Sequence, residues 1–320
     1  MPRARKHLVC VDDTPYYHVT SRCVRRAFLC GTDGFSGRSY EHRRQWIEDR
    51  VRILASLFSI EVCAYAIMSN HYHLVVRLNP EEAASWSEDD VLERWSALFR
   101  GPLLVQRYRA GEPLSAAELH TLRSTTAVFR QRLSSLSWFM KCLNEPVARM
   151  ANREDRCTGH FWEARFHSQA LRSERALIAA MAYVDLNPVR AGIANRPEQS
   201  EYTSLRARLN VRQQRTRLAA GISEAIQRRE LLHFQPPMRP LMRFSDAGGQ
   251  PNTTTLPVRE SEYFKLVDIA GRAKARGKRG RIDPALAPVL ERLCLSVDQW
   301  VAASSAFKRL YRAGDLRKAG

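Results

Sequence analysis

Two apolar runs, Ile60 to Met68 and His71 to Leu78, are separated only by Ser69-Asn70. Two residues can join antiparallel neighbours but never parallel ones, so these runs form a tight hairpin. Upstream, Tyr16 to Arg22 (YYHVTSR) is aromatic and β-branched and reads as a strand. Between it and the hairpin, Ile47, Val51, Leu54 and Phe58 recur at helical spacing, which makes the order β-α-β-β. Downstream, Leu136, Met140, Leu143 and Val147 lie on one face of a helix over 133–150. HFWEARFHSQAL then predicts a strand or hairpin around 160–171. Ser173 is an N-cap for a helix from Ala176 to about Leu186, stopped by Asn187-Pro188. The succession β-α-β-β-α-β plus one more helix is the split β-α-β order. The expected fold is α+β, a ferredoxin-like sheet with helices on one face.

At 320 residues the chain exceeds one compact unit. Residues 1–208 hold the α+β domain, interrupted over about 81–130 by a charged, irregular insertion with one helix near Asp89 to Phe99. Residues 209–258 read as a basic helix and a Pro/Gly/Thr-rich linker. Residues 259–320 read as a small, basic, mainly helical region whose clearest stripe is Leu286, Val289, Leu290 and Leu293. The 51 Lys+Arg against 33 Asp+Glu leave a net charge of +18, the footprint of a protein whose partner is a polyanion, above all nucleic acid. Seven cysteines with no C-x-x-C pair suggest neither a disulfide framework nor a zinc ribbon, so reduced thiols in a cytosol are expected. The apolar stretch within MPRARKHLVCVDD is too short for a signal peptide, and no apolar run is long enough to span a membrane.

The sharpest local feature is His71-Tyr72-His73. Residues two apart on a strand share a face, so both imidazoles point one way while Tyr72, Leu74 and Val76 point into the core. Such a pair can hold a metal ion, or it can be two solvent-facing histidines. In Tyr183-Val184-Asp185-Leu186-Asn187-Pro188, Tyr183 and Asn187 are four apart and stacked on one helical face. That pair can be functional, or a core-edge tyrosine and a C-cap before proline. His18, Thr20 and Arg22 alternate on one face of the first strand, where they line a DNA side or simply meet solvent. Arg165, near Glu163, is a DNA contact or half of a structural ion pair. The run RAKARGKRGR (Arg272, Lys274, Arg276, Lys278, Arg279, Arg281) is a phosphate-binding arm or a solvated loop.

Taken together and in this order, four segments resemble the single-tyrosine HUH-type transposases, and within them the REP-associated tyrosine transposases. The segments are Tyr17 to Arg22, Ala64 to Val76, Gly159 to Phe166 and Ala182 to Gly192. The middle residue of the HUH triplet, bulky and hydrophobic in that family, is Tyr72. The resemblance covers about residues 8–206. It implies that His71, His73 and Asn187 bind Mg²⁺ or Mn²⁺ and that Tyr183 attacks DNA to form a 5′-phosphotyrosine. It also implies a substrate of single-stranded or hairpin DNA from repetitive palindromes, handled in the cytoplasm at the nucleoid by a monomer or homodimer. Arg22, Arg165, Arg190 and the six basic residues from Arg272 to Arg281 are the candidate DNA contacts. A phenol ordinarily ionises near pH 10, so its attack on a phosphodiester calls for a Lewis acid.

A covalent phosphotyrosine conserves the broken bond, so resealing needs no ATP. Consistently, Gly271 to Lys278 has five rather than four residues between its glycines and is followed by Arg279, so it is not a P-loop. Two rivals stand beside the enzyme reading. One is a non-catalytic hairpin binder that keeps the fold. The other is a zinc hydrolase using His71 and His73, disfavoured because no third His or acid nearby has ligand spacing.

Overall fold

The computed structural model describes residues 9–24, 29–33, 37–194, 197–209, 239–245 and 255–272. Strand β1 (Tyr16–Arg22) is followed by helix α1 (His42–Leu57) and the hairpin of β2 (Ile60–Ile67) and β3 (His71–Leu78). The two-residue link closes as expected, with the Met68 N–H donated to the His71 carbonyl at 2.8 Å. Four helices then fill the insertion: α2 (Pro80–Ser85), α3 (Glu88–Ser96), α4 (Leu103–Arg109) and α5 (Ala116–Leu133). After them come α6 (Leu136–Glu154), β4 (His167–Ala170), α7 (Glu174–Asp185), the single turn α8 (Asn187–Arg190) and α9 (Ser204–Leu209). Two-residue strands β5 (Arg243–Phe244) and β6 (Thr255–Leu256) pair in parallel before α10 (Glu260–Arg272). Among the described residues no helix is long and apolar enough to cross a membrane.

The four main strands form one antiparallel sheet in the order β2-β3-β1-β4, the ferredoxin-like arrangement predicted from the element order. Its first face carries Tyr17, Val19, Tyr65, Tyr72, Leu74 and Val76, which share a core with Ile47, Val51 and Leu54 of α1 and Phe139, Leu143 and Val147 of α6. A bulge between Val62 and Ala64 reverses the alternation of β2. Val62 before the bulge and Tyr65 after it face this core, whereas Cys63, Ala64 and Ala66 face the other side.

That other side is not bare. α7, the helix that follows the split β-α-β unit, lies across β2 and β3 there. Its alanines 179, 180 and 182 are buried opposite Ala64 and Ala66, and small residues on both partners permit this close approach. α7 begins where Ser173 Oγ accepts from the Ala176 N–H at 3.1 Å. It breaks at Leu186, and Asn187 and Pro188 open the separate turn α8, since proline offers no N–H to continue the ladder.

The insertion is helical rather than irregular. Two capping boxes, Ser87 with Asp90 and Ser115 with Glu118, start α3 and α5, and Val91, Trp95, Leu122 and Phe129 extend the first core. The strand expected at 160–171 is shorter, and only an isolated bridge from Cys23 to Trp162 precedes β4. The stripe from Leu286 to Leu293 lies outside the described residues.

The described part of the C-terminal extension packs onto α7. Phe244, Leu256, Tyr263 and Val267 are buried in the second core. Asp185, fully buried at the end of α7, accepts from Ser204 Oγ at 2.5 Å, the Leu205 N–H at 2.9 Å and Tyr263 Oη at 2.6 Å. Burial pushes its carboxyl pKa up, and these three donors oppose that shift. Tyr263→Phe removes one donor from a buried acid, so it is expected to cost about 1–3 kcal/mol of stability, read as a lower urea midpoint. An unchanged midpoint would show that the bond carries no stability.

Candidate active site

The second sheet face between β1, β3 and α7 gathers the residues that the motifs single out. In the sheet register His71 lies opposite Arg22 and His73 opposite Thr20. His73 is fully buried, and its Nε2 lies 2.9 Å from Asn187 Nδ2. Its Nδ1 lies 2.9 Å from Thr20 Oγ1 and 3.0 Å from His18 Nε2. His71, half-buried, donates from Nδ1 to Asn70 Oδ1 at 2.6 Å, which leaves its Nε2 as the basic nitrogen. The His71 and His73 ring centroids are 4.8 Å apart. Tyr183 stands edge-on to both buried imidazoles, with centroids 5.6 Å from His73 and 6.1 Å from His18. The guanidinium carbon of Arg190 lies 5.5 Å from the Tyr183 ring centroid.

Burial dominates the electrostatics. It lowers the pKa of His71 to about 4, helped by the nearby Arg22 cation, and that of His18 to about 3, helped by His71. His73 is held well below the ordinary imidazole value, first by burial and then by His71, His18 and Arg22. All three rings are therefore neutral at pH 7, the state in which imidazole is a ligand.

The donor set fits a divalent ion. His71 has Nδ1 engaged by Asn70, and His73 has Nδ1 engaged by Thr20 and His18. Engaging the far nitrogen in this way is how proteins orient imidazole ligands. Half a turn of the Asn187 amide exchanges Nδ2 for Oδ1 beside His73 Nε2. Two imidazoles and one amide oxygen suit Mn²⁺ or another transition ion better than Mg²⁺. Among the described residues no group of three or more His, Cys, Asp and Glu is arranged to hold a metal; the candidate set here is two imidazoles and the Asn187 amide.

The other predicted residues are placed as follows. Arg22 and Arg190 are exposed and flank the site, Arg22 opposite His71 and Arg190 against Tyr183. Arg165 is exposed in the loop before β4, not on the strand, because pairing with β1 begins only at His167. Arg272 ends α10, while Lys274, Arg276, Lys278, Arg279 and Arg281 lie outside the described residues. His18 and Thr20 are buried against His73, with the Tyr183 ring edge-on to His18, and face neither solvent nor a DNA groove. Their shared face was readable from the alternation of YYHVTSR; their burial was not.

No family model and no curated protein matches the chain. Among solved structures it is similar to a REP-associated tyrosine transposase bound to a REP hairpin. The match has 10% identity and a TM-score of 0.37, and covers 77% of this chain and 100% of the other.

The histidine shifts set a pH window. An unfolded imidazole titrates near 6.5, so between about 4 and 6.5 the unfolded chain binds a proton that folded His71 refuses. His71 thus leaves stability intact above about pH 6.5 and erodes it as pH falls. Asp49, pushed up to about 6 by burial, acts with the opposite sign. Comparison with His71→Asn cancels that background. The unfolding free energy of wild type relative to His71→Asn is expected to drop between pH 7 and pH 4.5, and a pH-independent difference contradicts the depressed imidazole.

Proposed function

We propose that the chain is a metal-dependent single-strand DNA endonuclease and strand transferase of the transposase type, acting on hairpin DNA in the cytoplasm at the nucleoid. The observation that supports this best is the meeting of His73 and Asn187, 114 residues apart in sequence, at 2.9 Å beside the Tyr183 ring. A core needs no such convergence of two imidazoles, an amide and a phenol. Tyr183 in the last turn of α7 and Asn187 at the start of α8 present nucleophile and ligand together.

In this reading His71, His73 and Asn187 hold Mg²⁺ or Mn²⁺. The bound ion supplies Lewis-acid polarisation of the scissile phosphate. Tyr183 Oη forms the new bond to phosphorus, losing the phenol proton, while the bond from phosphorus to the 3′-oxygen breaks and that oxygen gains a proton. The products are a 5′-phosphotyrosine and a free 3′-OH. A second 3′-hydroxyl reverses the step and rejoins the strand. In the same reading Arg22 and Arg190, both exposed, contact the flanking phosphates, with Arg165 and the basic run from Arg272 to Arg281 as further contacts. The substrate class is single-stranded DNA next to an imperfect hairpin from repetitive palindromes.

One observation favours the non-catalytic rival. Tyr183 is only 5% exposed, with a guanidinium over its ring, a closed setting for a nucleophile. Incubating labelled hairpin DNA with protein and Mn²⁺, then running a denaturing gel, separates the two. The enzyme leaves a protein-linked 5′ fragment; the hairpin binder retards the DNA and leaves no adduct.

Tyr183→Phe is expected to abolish the adduct while hairpin affinity stays within about twofold, since only one hydroxyl is removed. His71→Ala is expected to stop cleavage too, with partial rescue by excess Mn²⁺ that the Phe variant does not show. An adduct formed by Tyr183→Phe assigns the chemistry to another tyrosine. Removing residues 273–320 leaves α10 on its core and takes away most of the basic run. It is expected to weaken hairpin binding and flatten its salt dependence by roughly one unit of slope per lost phosphate contact. An unchanged slope rules the run out as a DNA arm.

A further inference from the structure

We propose that His18 and Thr20 are positioning residues that lock His73 in the tautomer with its proton on Nδ1 and its lone pair on Nε2. The metal-binding consequence rests on the functional reading above; the tautomer itself rests only on the contacts. Three of these point to it. With Asn187 presenting Nδ2, 2.9 Å from His73 Nε2, that nitrogen accepts; the half turn that brings Oδ1 there would accompany a bound ion. A neutral imidazole has one N–H, which then sits on Nδ1. Two groups meet that proton: Thr20 Oγ1 at 2.9 Å and His18 Nε2 at 3.0 Å. His18 Nε2 can receive it only if His18 carries its own proton on Nδ1.

The surroundings make this arrangement stiff. The His18 and His73 rings are within 17° of parallel, with centroids 5.1 Å apart. Both rings are buried, so no solvent competes for the proton. Thr20 pairs directly with His73 across the strands, and its β-branched side chain has few rotamers. The sheet thus supplies the acceptors for Nδ1 from β1, while Nε2 is left to face α8 and Asn187. His71 achieves the same result locally through Asn70. One ligand is oriented by its own hairpin turn and the other by a neighbouring strand.

The test uses the full chain, ¹⁵N-labelled, free of metal and DNA. Long-range ¹H–¹⁵N correlations read which nitrogen of each imidazole is protonated, and the EPR signal of free MnCl₂ reads affinity. Wild type is expected to show His73 protonated on Nδ1 and His18 likewise. In His18→Leu/Thr20→Val, which removes both of these acceptors, His73 is expected to shift towards protonated Nε2. Mn²⁺ affinity is expected to fall about 10- to 100-fold. His18→Gln, which offers Oε1 at a similar reach, is expected to recover most of the loss, a rescue that a merely space-filling role does not give. Should the double variant fail to fold, Thr20→Val alone is expected to move the spectrum in the same direction. A wild-type His73 protonated on Nε2, or variants that keep both tautomer and affinity, overturns the proposal. A wild type with the stated tautomer that binds no Mn²⁺ instead sinks the functional reading and leaves the tautomer assignment standing.

Discussion

β3 is hydrogen-bonded to β1 along one edge and to β2 along the other, and helices cover both faces of the sheet it belongs to. Its side chains must therefore alternate between two interiors. Tyr72, Leu74 and Val76 take the first, and His71 and His73 fall to the second. A slip of one residue would exchange the two sets and drive both imidazoles into an apolar core. Tyr72 opposes that slip. Its hydroxyl donates to Asn144 Oδ1 on α6, while the Asn144 amide donates to Ser21 Oγ on β1 at 2.9 Å. The Trp162 indole N–H reaches the Asn144 carbonyl at 2.8 Å, so one asparagine behind the sheet ties β1, β3 and the loop before β4 together.

The second interior exists because α7 and the C-terminal segments cover a face that α1 and α6 leave open. That cover is cemented by polar groups as well as apolar ones. Asp185 draws α9 and α10 onto the end of α7, two residues beyond Tyr183. Arg208 donates to the carbonyls of Cys63 and Met242, both at 2.9 Å, at the bulge where β2 changes face. Burial of such groups is costly unless they are matched, and the three bonds to Asp185 tie α9 and α10 to the end of α7.

How much of this was legible followed from range. Strand period, helix period and caps are local, so β1, β2, β3, α1 and α7 are close to their sequence-based bounds. The capping boxes at Ser87 and Ser115 are equally local, but the many charges between residues 81 and 130 masked the buried positions Val91, Trp95, Leu122 and Phe129. Tyr183, His71, His73 and Asn187 could be named because their motifs have a fixed order. His18 could not be assigned to the site, since nothing in YYHVTSR reveals that another helix will cover it. Nor could Asp185 be matched to Tyr263, 78 residues away and beyond a stretch with no pattern linking the two.

The break at Leu186 has an electrostatic side. Peptide dipoles along α7 add up to a partial negative charge at its C-terminal end, and the proline that ends it removes the N–H that would have capped one of those carbonyls. Asn187 follows at once and reaches His73. The C-terminal end of the helix that carries the phenol thus lies two residues before the amide that meets His73. Such a pole favours a cation over a bare anion nearby, and the one acid that closes α7, Asp185, is met by three donors.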